Sequence, residues 1–268
     1  MKQPITIGAD PELFVVNMNN KFISSIGKFG GSKQVPAPIG HDCHIQEDNV
    51  ALEFNIPPSE SKTMFVSSIN FALEELAKRA GMLNLSLSIV PSATFDRDQL
   101  RNPKAKEFGC DPDHNAWTME ENPRPKAVDK SLRSAGGHVH VGCKLYPAFD
   151  IARAMDLFLG VPSVAFDADT QRRKLYGRAG AYREKPYGME YRTLSNAWLR
   201  SDLLKEWVYD QTHAALEFLD VGNRLDMETD DANDIVRCIN NTDTAVMTQL
   251  VRRFGLIIPS TNELGTAA

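Results

Sequence analysis

Cysteine is sparse in this chain: four in 268 residues, Cys43, Cys110, Cys143 and Cys238, with no C-x-x-C pair. That spacing argues against a cysteine-rich zinc module and points to free thiols in a reducing, cytoplasmic setting. No apolar run approaches the roughly 18 residues a membrane span needs, and the opening residues, MKQPITIGAD, contain no signal-type apolar core. No membrane partner is expected. Positive charge is not in excess either, since 30 lysines and arginines against 35 aspartates and glutamates leave a net charge of −5. Without a basic field, nucleic acid is not an expected partner. A P-loop glycine motif is also missing, so a nucleotide would have to be held by metal and side chains. No repeat, low-complexity tract or linker breaks the chain, so residues 1–258 read as one domain and 259–268 as a flexible tail.

What is present is a concentration of guanidiniums beside paired acids. Five arginines, Arg172, Arg173, Arg178, Arg183 and Arg192, fall within 21 positions. The run Tyr187–Leu194 reads as a strand that places Glu190 and Arg192, two apart, on one face. An isolated E-x-R is usually a surface ion pair worth little, but three other segments supply matching pieces. PITIGADPELFVV reads as a strand interrupted at Asp10-Pro11, with Asp10 and Glu12 sharing a face. QEDNVALEFNI reads as a second acidic strand, Gln46–Ile56, with Glu47 and Glu53 on its polar side. SAGGHVHVGCK reads as a strand with His138 and His140 on one face and valines on the other, opened by glycines that permit close approach.

Between and after these pieces the reading is plainer. Phe22–Ile26 is a short partner strand and Gly27–Gly40 a glycine- and proline-rich loop. A helix over about 61–80, capped by Ser59 or Ser61, covers a sheet, and Leu85–Phe95 alternates as a strand. Residues 96–135 are hard to read. Cys110, Asp111, Asp113 and His114 fit no tetrahedral zinc spacing, and a substrate-facing loop or a buried irregular segment is expected there. Helices follow at 149–159, from Pro162 to about 175, at 200–220, at about 230–240 and at 243–254.

Carboxylates with a histidine suit magnesium, which prefers oxygen ligands, and arginines with magnesium neutralise a transferring phosphoryl group. The motifs GADPELF, QEDNVALEFNIPP, SAGGHVHVG, YGRAGAYR and KPYGMEYRTLSNAW, in this order, resemble those of the glutamine synthetase-like carboxylate–amine ligases. That superfamily includes the glutamate–cysteine ligases. More narrowly, the chain from about residue 6 to 200 is similar to the phage-encoded carboxyl–amine ligases of type 2. The resemblance implies an α+β fold, a curved antiparallel sheet with helices packed on its outer face. It implies an ATP-dependent amidoligase that phosphorylates a carboxylate and lets an amine displace the phosphate.

The implied substrates are small-molecule or peptide acids and amines, with ATP and magnesium or manganese as cofactors. The setting is the host cytoplasm if the chain is phage-encoded, and a homo-oligomer is left open. Residue by residue, Asp10, Glu12, Glu47, Glu53, His138 and Glu190 match metal ligands, and His140 the histidine near the nucleotide phosphates. Arg178, Arg183 and Arg192 resemble the catalytic arginines that bind phosphate and acyl phosphate, with Arg172 and Arg173 as further nucleotide contacts. Asp10 is shorter than the glutamate often found there, and Pro11 separates the paired acids; either departure could remove one metal. Two other readings stand beside this one. A metal-dependent hydrolase or phosphotransferase would need fewer arginines, and an inactive structural or binding protein would not need the acids and histidines to be kept together.

Overall fold

The structure, a computed structural model, describes residues 4–106, 112–123 and 129–259. Cys110 and Asp111, and residues 260–268 of the expected tail, lie outside the described residues. The chain opens with β1 (Thr6–Ala9) and β2 (Glu12–Asn17), followed by β3 (Phe22–Ile23), β4 (Ala37–Gly40), β5 (Cys43–Asp48) and β6 (Ala51–Asn55). Helix α1 (Lys62–Met82) leads to β7 (Leu85–Ser88), β8 (Ser92–Thr94), β9 (His114–Asn115), β10 (Leu132–Ser134) and β11 (Val139–Gly142). Then come α2 (Ala148–Met155), a π-helical turn (Asp156–Gly160), α3 (Val161–Ser163) and α4 (Thr170–Leu175). A hairpin of β12 (Ala181–Lys185) and β13 (Gly188–Tyr191) precedes α5 (Asp202–Asp220), α6 (Asp230–Asn241) and α7 (Thr244–Phe254). No described helix is long and apolar enough to cross a membrane.

The strands pair antiparallel in two main sheets, ordered β1-β11-β13-β12-β9 and β3-β2-β6-β5-β4. The chain is therefore the expected mixture of helices and antiparallel sheet, and neither sheet closes on itself. Pro11 has no amide hydrogen with which to continue a ladder, and at Asp10-Pro11 the chain passes from the first sheet to the second. The sheets stay joined there: Ile56 N donates to Ala9 O (3.1 Å) and Phe54 N to Pro11 O (3.2 Å).

Register divides the two faces. Ile7, Ala9, Val139, Val141, Met189 and Tyr191 share one apolar core with Ile151 and Met155 of α2. Leu13, Ile45, Leu52 and Phe54 join the same core beside Phe65, Ile69 and Leu76 of α1. Side chains alternate along a strand, so the residues between them face the other way. Across β1, β11, β13 and β12 these are Gly8, His140, Glu190 and Arg183, each opposite the next. Across β2, β6 and β5 they are Glu12, Glu53 and Gln46. The face turned away from the core is thus polar over both sheets.

Several sequence expectations need correction. Gln46–Ile56 is a hairpin rather than one strand: Asn49 takes a left-handed conformation (φ 55°) and Asp48 pairs with Ala51. Glu47 stands opposite Leu52 while Glu53 stands opposite Gln46, so the two glutamates do not share a face. Leu85–Phe95 divides into β7 and β8 ahead of and beyond Pro91, and part of the 27–40 loop forms β4, where Pro38 is tolerated at an edge. Ser134–Lys144 divides at Gly136-Gly137, and the strand expected over Tyr187–Leu194 ends at Tyr191. Helix α1 begins as expected, with Ser61 Oγ accepting from Met64 N (3.4 Å), but it runs through Gly81.

Candidate active site

Asp10, His138 and Glu190 form the first acid cluster, with ligating atoms within 4.8 Å of one another. Asp10 is brought there by the change of sheet at Pro11. His138 follows Gly136-Gly137 and directly precedes β11, and the glycines are needed for close approach: a β-carbon on Gly136 would overlap the His138 ring, and one on Gly137 the Ser195 carbonyl. His138 Nδ1 lies 3.4 Å from Asp10 Oδ1 and 3.7 Å from Glu190 Oε1. His140 faces the same way, with Nε2 2.9 Å from Asp10 Oδ1, while its Nδ1 is hydrogen-bonded to the Tyr187 hydroxyl. Burial, reinforced by the Arg192 charge, lowers His138 to about 4, so its imidazole is neutral near pH 7, the form a cation needs. Burial would raise Asp10, but the charge and contacts of His140 and His138 pull it well below the usual carboxylate range.

Glu12, Asp48 and Glu53 form the second cluster, again with ligating atoms within 4.8 Å. Glu12 and Glu53 are direct cross-strand partners, and Glu12 Oε2 accepts from Gly136 N (2.6 Å). Burial and the Asp48 charge raise Glu12 to about 7. Burial, with Asp10, Glu12 and Asp48 nearby, raises Glu53 well above its ordinary value. Asp48, exposed at the outer edge, is raised too, desolvation being the largest cause.

A row of cations borders the first cluster. Arg192 Nη1 contacts Glu190 Oε1 closely, Arg183 Nη1 lies 3.4 Å from the same oxygen, and Lys185 Nζ lies 2.8 Å from Glu190 Oε2. Burial would raise Glu190, but the Arg192 guanidinium prevails and holds it at about 2. Asp113 Oδ2 lies 3.2 Å from Arg192 Nε, on the far side of the guanidinium from Glu190.

The remaining candidates lie elsewhere. Arg172 is buried and donates to the carbonyls of Arg192 (2.9 Å) and Leu194 (3.0 Å). Arg173 is buried against Ser163 Oγ (3.2 Å) and Asp167. These contacts hold α4 to the segment after β13 and to the end of α3. Arg178 donates to Lys174 O (3.3 Å). Glu47 accepts four backbone N–H groups, from Gly27 (2.7 Å) and from Lys28, Phe29 and Gly30 (2.9 Å each). Its carboxylate anchors the 27–30 loop and lies outside both acid clusters. Although its partial burial raises it, these donors lower its pKa overall. Its stabilisation is thus fully present above its ordinary value and lost as pH falls through the lowered one. Glu47→Ala is expected to cost about 2 kcal/mol of stability, read by denaturant unfolding, while divalent-cation binding persists.

Sequence reasoning missed Asp48, Asp113 and Lys185 as neighbours of these clusters. Asp48 was detectable from the Asp-Asn turn signal in QEDNVALEF; Asp113 and Lys185 carried no local signal. It also missed Asp156, fully buried in the π-helical turn. Asp156 accepts from Trp117 Nε1 (2.6 Å), Gly180 N (2.5 Å), Tyr191 OH (2.7 Å) and Thr193 Oγ1 (3.2 Å). It ties together the loop after β9, the turn before β12 and the end of β13. Asp156→Ala leaves the Trp117, Gly180 and Tyr191 donors unpaired, while Thr193 Oγ1 keeps Arg178 O (3.0 Å), and is expected to cost on the order of 3–5 kcal/mol, measured by chemical unfolding.

No curated protein sequence matches this chain. Among solved structures it is similar to ligand-free GmaS, at 11% identity and a TM-score of 0.40, covering 98% of this chain and 72% of that one. A GmaS complex with ADP gives 9% identity and a TM-score of 0.39, covering 94% and 69%. A glutamine synthase homologue gives 12% and 0.34, covering 93% and 66%. Residues 130–251, the segment carrying His138, His140, Glu190 and Arg192, match the sequence model of the phage phiEco32-like COOH.NH2 ligase-type 2 family, the one the motifs resemble.

Proposed function

We propose that this chain is an ATP-dependent carboxylate–amine ligase, with residues 1–258 acting as one catalytic domain. The observation that carries the reading is the juxtaposition, on the polar side of the two joined sheets, of two acid clusters with a row of cations at Glu190. The family match over residues 130–251 supports it.

A free carboxylate is a poor electrophile because it is charged and its oxygen leaves badly. In the proposed reaction a carboxylate oxygen attacks the terminal phosphorus of ATP, ADP leaves, and an acyl phosphate forms. The amine nitrogen then attacks the acyl carbon, the C–O bond to phosphate breaks, and the nitrogen gives up a proton. In this reading Arg192, Arg183 and Lys185 bind the phosphoryl oxygens, the guanidiniums in bidentate fashion; their gathering at Glu190 supports it. Arg172 and Arg173, committed to carbonyls and to Asp167, support these elements instead of touching the nucleotide. Asp113 keeps the Arg192 plane in place.

Glu12, Asp48 and Glu53 would hold one divalent cation, and Asp10, His138 and Glu190 another; Glu47 is no longer in the set. The donors fit, because burial and the neighbouring acids raise Glu12 to about 7 and lift Glu53 well above its ordinary value, a crowding that magnesium or manganese relieves with the oxygen ligands it prefers. A divalent ion there supplies charge neutralisation on the nucleotide phosphates. The second cluster is the stronger site, since Glu190 already has arginine and lysine partners. Its affinity should rise with pH, because protons on Glu12 and Glu53 must leave before the cation binds. Titration with Mn2+ between pH 6 and 8 is expected to show roughly a tenfold gain per unit for each proton displaced. A flat profile contradicts the assignment.

The direct test is incubation with Mg-ATP and pooled carboxylates and amines. Phosphate release that requires both supports the ligase. Release without an amine supports the hydrolase or phosphotransferase, and absence of ATP and magnesium binding by calorimetry supports an inactive binding protein.

A further inference from the structure

Helix α1 packs on the apolar side of the second sheet, away from both acid clusters. Between its last turns and the 27–30 loop opens a cavity of about 460 Å³. This falls within the roughly 300–1,000 Å³ range of small-molecule pockets. Phe29, 8% exposed, lines it on the loop side, and Met82 and Leu83 form an apolar wall left in solvent, Met82 at 72% exposure. The loop side is already fixed, because Gly27, Lys28, Phe29 and Gly30 all donate their amides to Glu47. Lys28, Lys78 and Arg79 line the same cavity with a single acid, Glu75. Lys78 Nζ takes that acid at 3.4 Å, and neither Lys28 nor Arg79 forms an ion pair among the described residues. The negative end of α1 is partly satisfied as well: Leu83 N donates to Ala80 O (2.9 Å) and Asn84 N to Gly81 O (3.0 Å).

Two uncommitted cations beside exposed apolar surface, on a chain of net charge −5, suit an anion that carries a hydrocarbon group. The guanidinium presents a planar fork of donors and the ammonium a compact charge. A carboxylate has two oxygens, and the fork alone occupies both. A phosphate monoester has three free oxygens and close to two charges, so it can meet Arg79 and Lys28 together. Its substituent then lies against Phe29, Met82 and Leu83. We propose that this cavity binds a phosphate monoester bearing a compact apolar group, at a site separate from the two acid clusters. The proposal does not rest on the ligase reading.

The test titrates phenyl phosphate, inorganic phosphate and benzyl alcohol into the whole protein by calorimetry, without metal or nucleotide. Phenyl phosphate is expected to bind roughly tenfold or more tightly than either of the others, and to weaken as salt is added. The cations at Glu190 could also draw a phosphate, so variants locate the binding. Lys28 is exposed and Arg79 half-buried, so Lys28→Gln combined with Arg79→Gln is expected to keep the fold, checked by circular dichroism. The pair should weaken phenyl phosphate roughly tenfold or more. Met82→Asp, a change on the exposed wall, should weaken it at least a few-fold through lost apolar contact and added negative charge. Lys185→Gln, in the other site, should leave it unchanged. No phenyl phosphate binding, equal binding of inorganic phosphate or of benzyl alcohol, or affinity unchanged in both the double variant and Met82→Asp would each overturn the proposal. A loss confined to Lys185→Gln would overturn it too, by placing the phosphate at Glu190.

Discussion

Glu53→Gln is expected to lower Mg-ATP turnover by roughly 100-fold or more and, at the same time, to raise the melting temperature of the metal-free protein. Glu53 sits between Glu12 and Gln46 in register, 9% exposed, with Asp48 nearby. Its raised pKa means that the folded chain binds its proton more tightly than the unfolded chain does. That contribution is complete below the unfolded value, about 4.3, and is lost as pH rises through the folded one. At neutral pH the acid is therefore a burden on the empty protein, and a neutral isostere relieves it. Melting curves in EDTA and in excess magnesium separate the effects: the wild type gains on adding magnesium, and Glu53→Gln gains little. A variant with full activity, or one that melts lower without metal, would count against the cluster as a cation site.

Arg192→Lys should be nearly as damaging, with a loss of roughly 100-fold or more in kcat and no loss of fold. The guanidinium meets Glu190 through Nη1 and Asp113 through Nε. A lysine keeps the charge but has one nitrogen, and it cannot span both acids or offer a bidentate face to phosphate. If the role of Arg192 were only to add positive charge, the variant would keep activity within a few-fold. Steady-state kcat and KM for ATP decide between these, and Asp113→Asn should show a smaller decrease in the same direction.

Much of this arrangement is readable where the signal is local. The Asp10-Pro11 break, the glycine pair before His138, the i, i+2 imidazoles and the Glu190-Arg192 face each follow from backbone rules acting over a few residues. The strand misreadings share one cause, which is that a strand's face is set by its partner. QEDNVALEF looks like one alternating strand until Asn49 turns left-handed. The turn then moves Glu47 off the polar face and leaves Asp48 with Glu12 and Glu53. Arg172 and Arg173 look like site arginines in a basic stretch, but α4 buries both against carbonyls and Asp167. Contacts such as Asp113 with Arg192, 79 positions apart, have no local signature.

The most direct measurement is anomalous diffraction from crystals grown with Mn2+ and a non-hydrolysable ATP analogue. A peak among Glu12, Asp48 and Glu53, beside triphosphate oxygens bound by Arg192, is the expected map. Manganese bound only at Glu47 or on the outer surface, with both acid groups vacant and the triphosphate elsewhere, would contradict it.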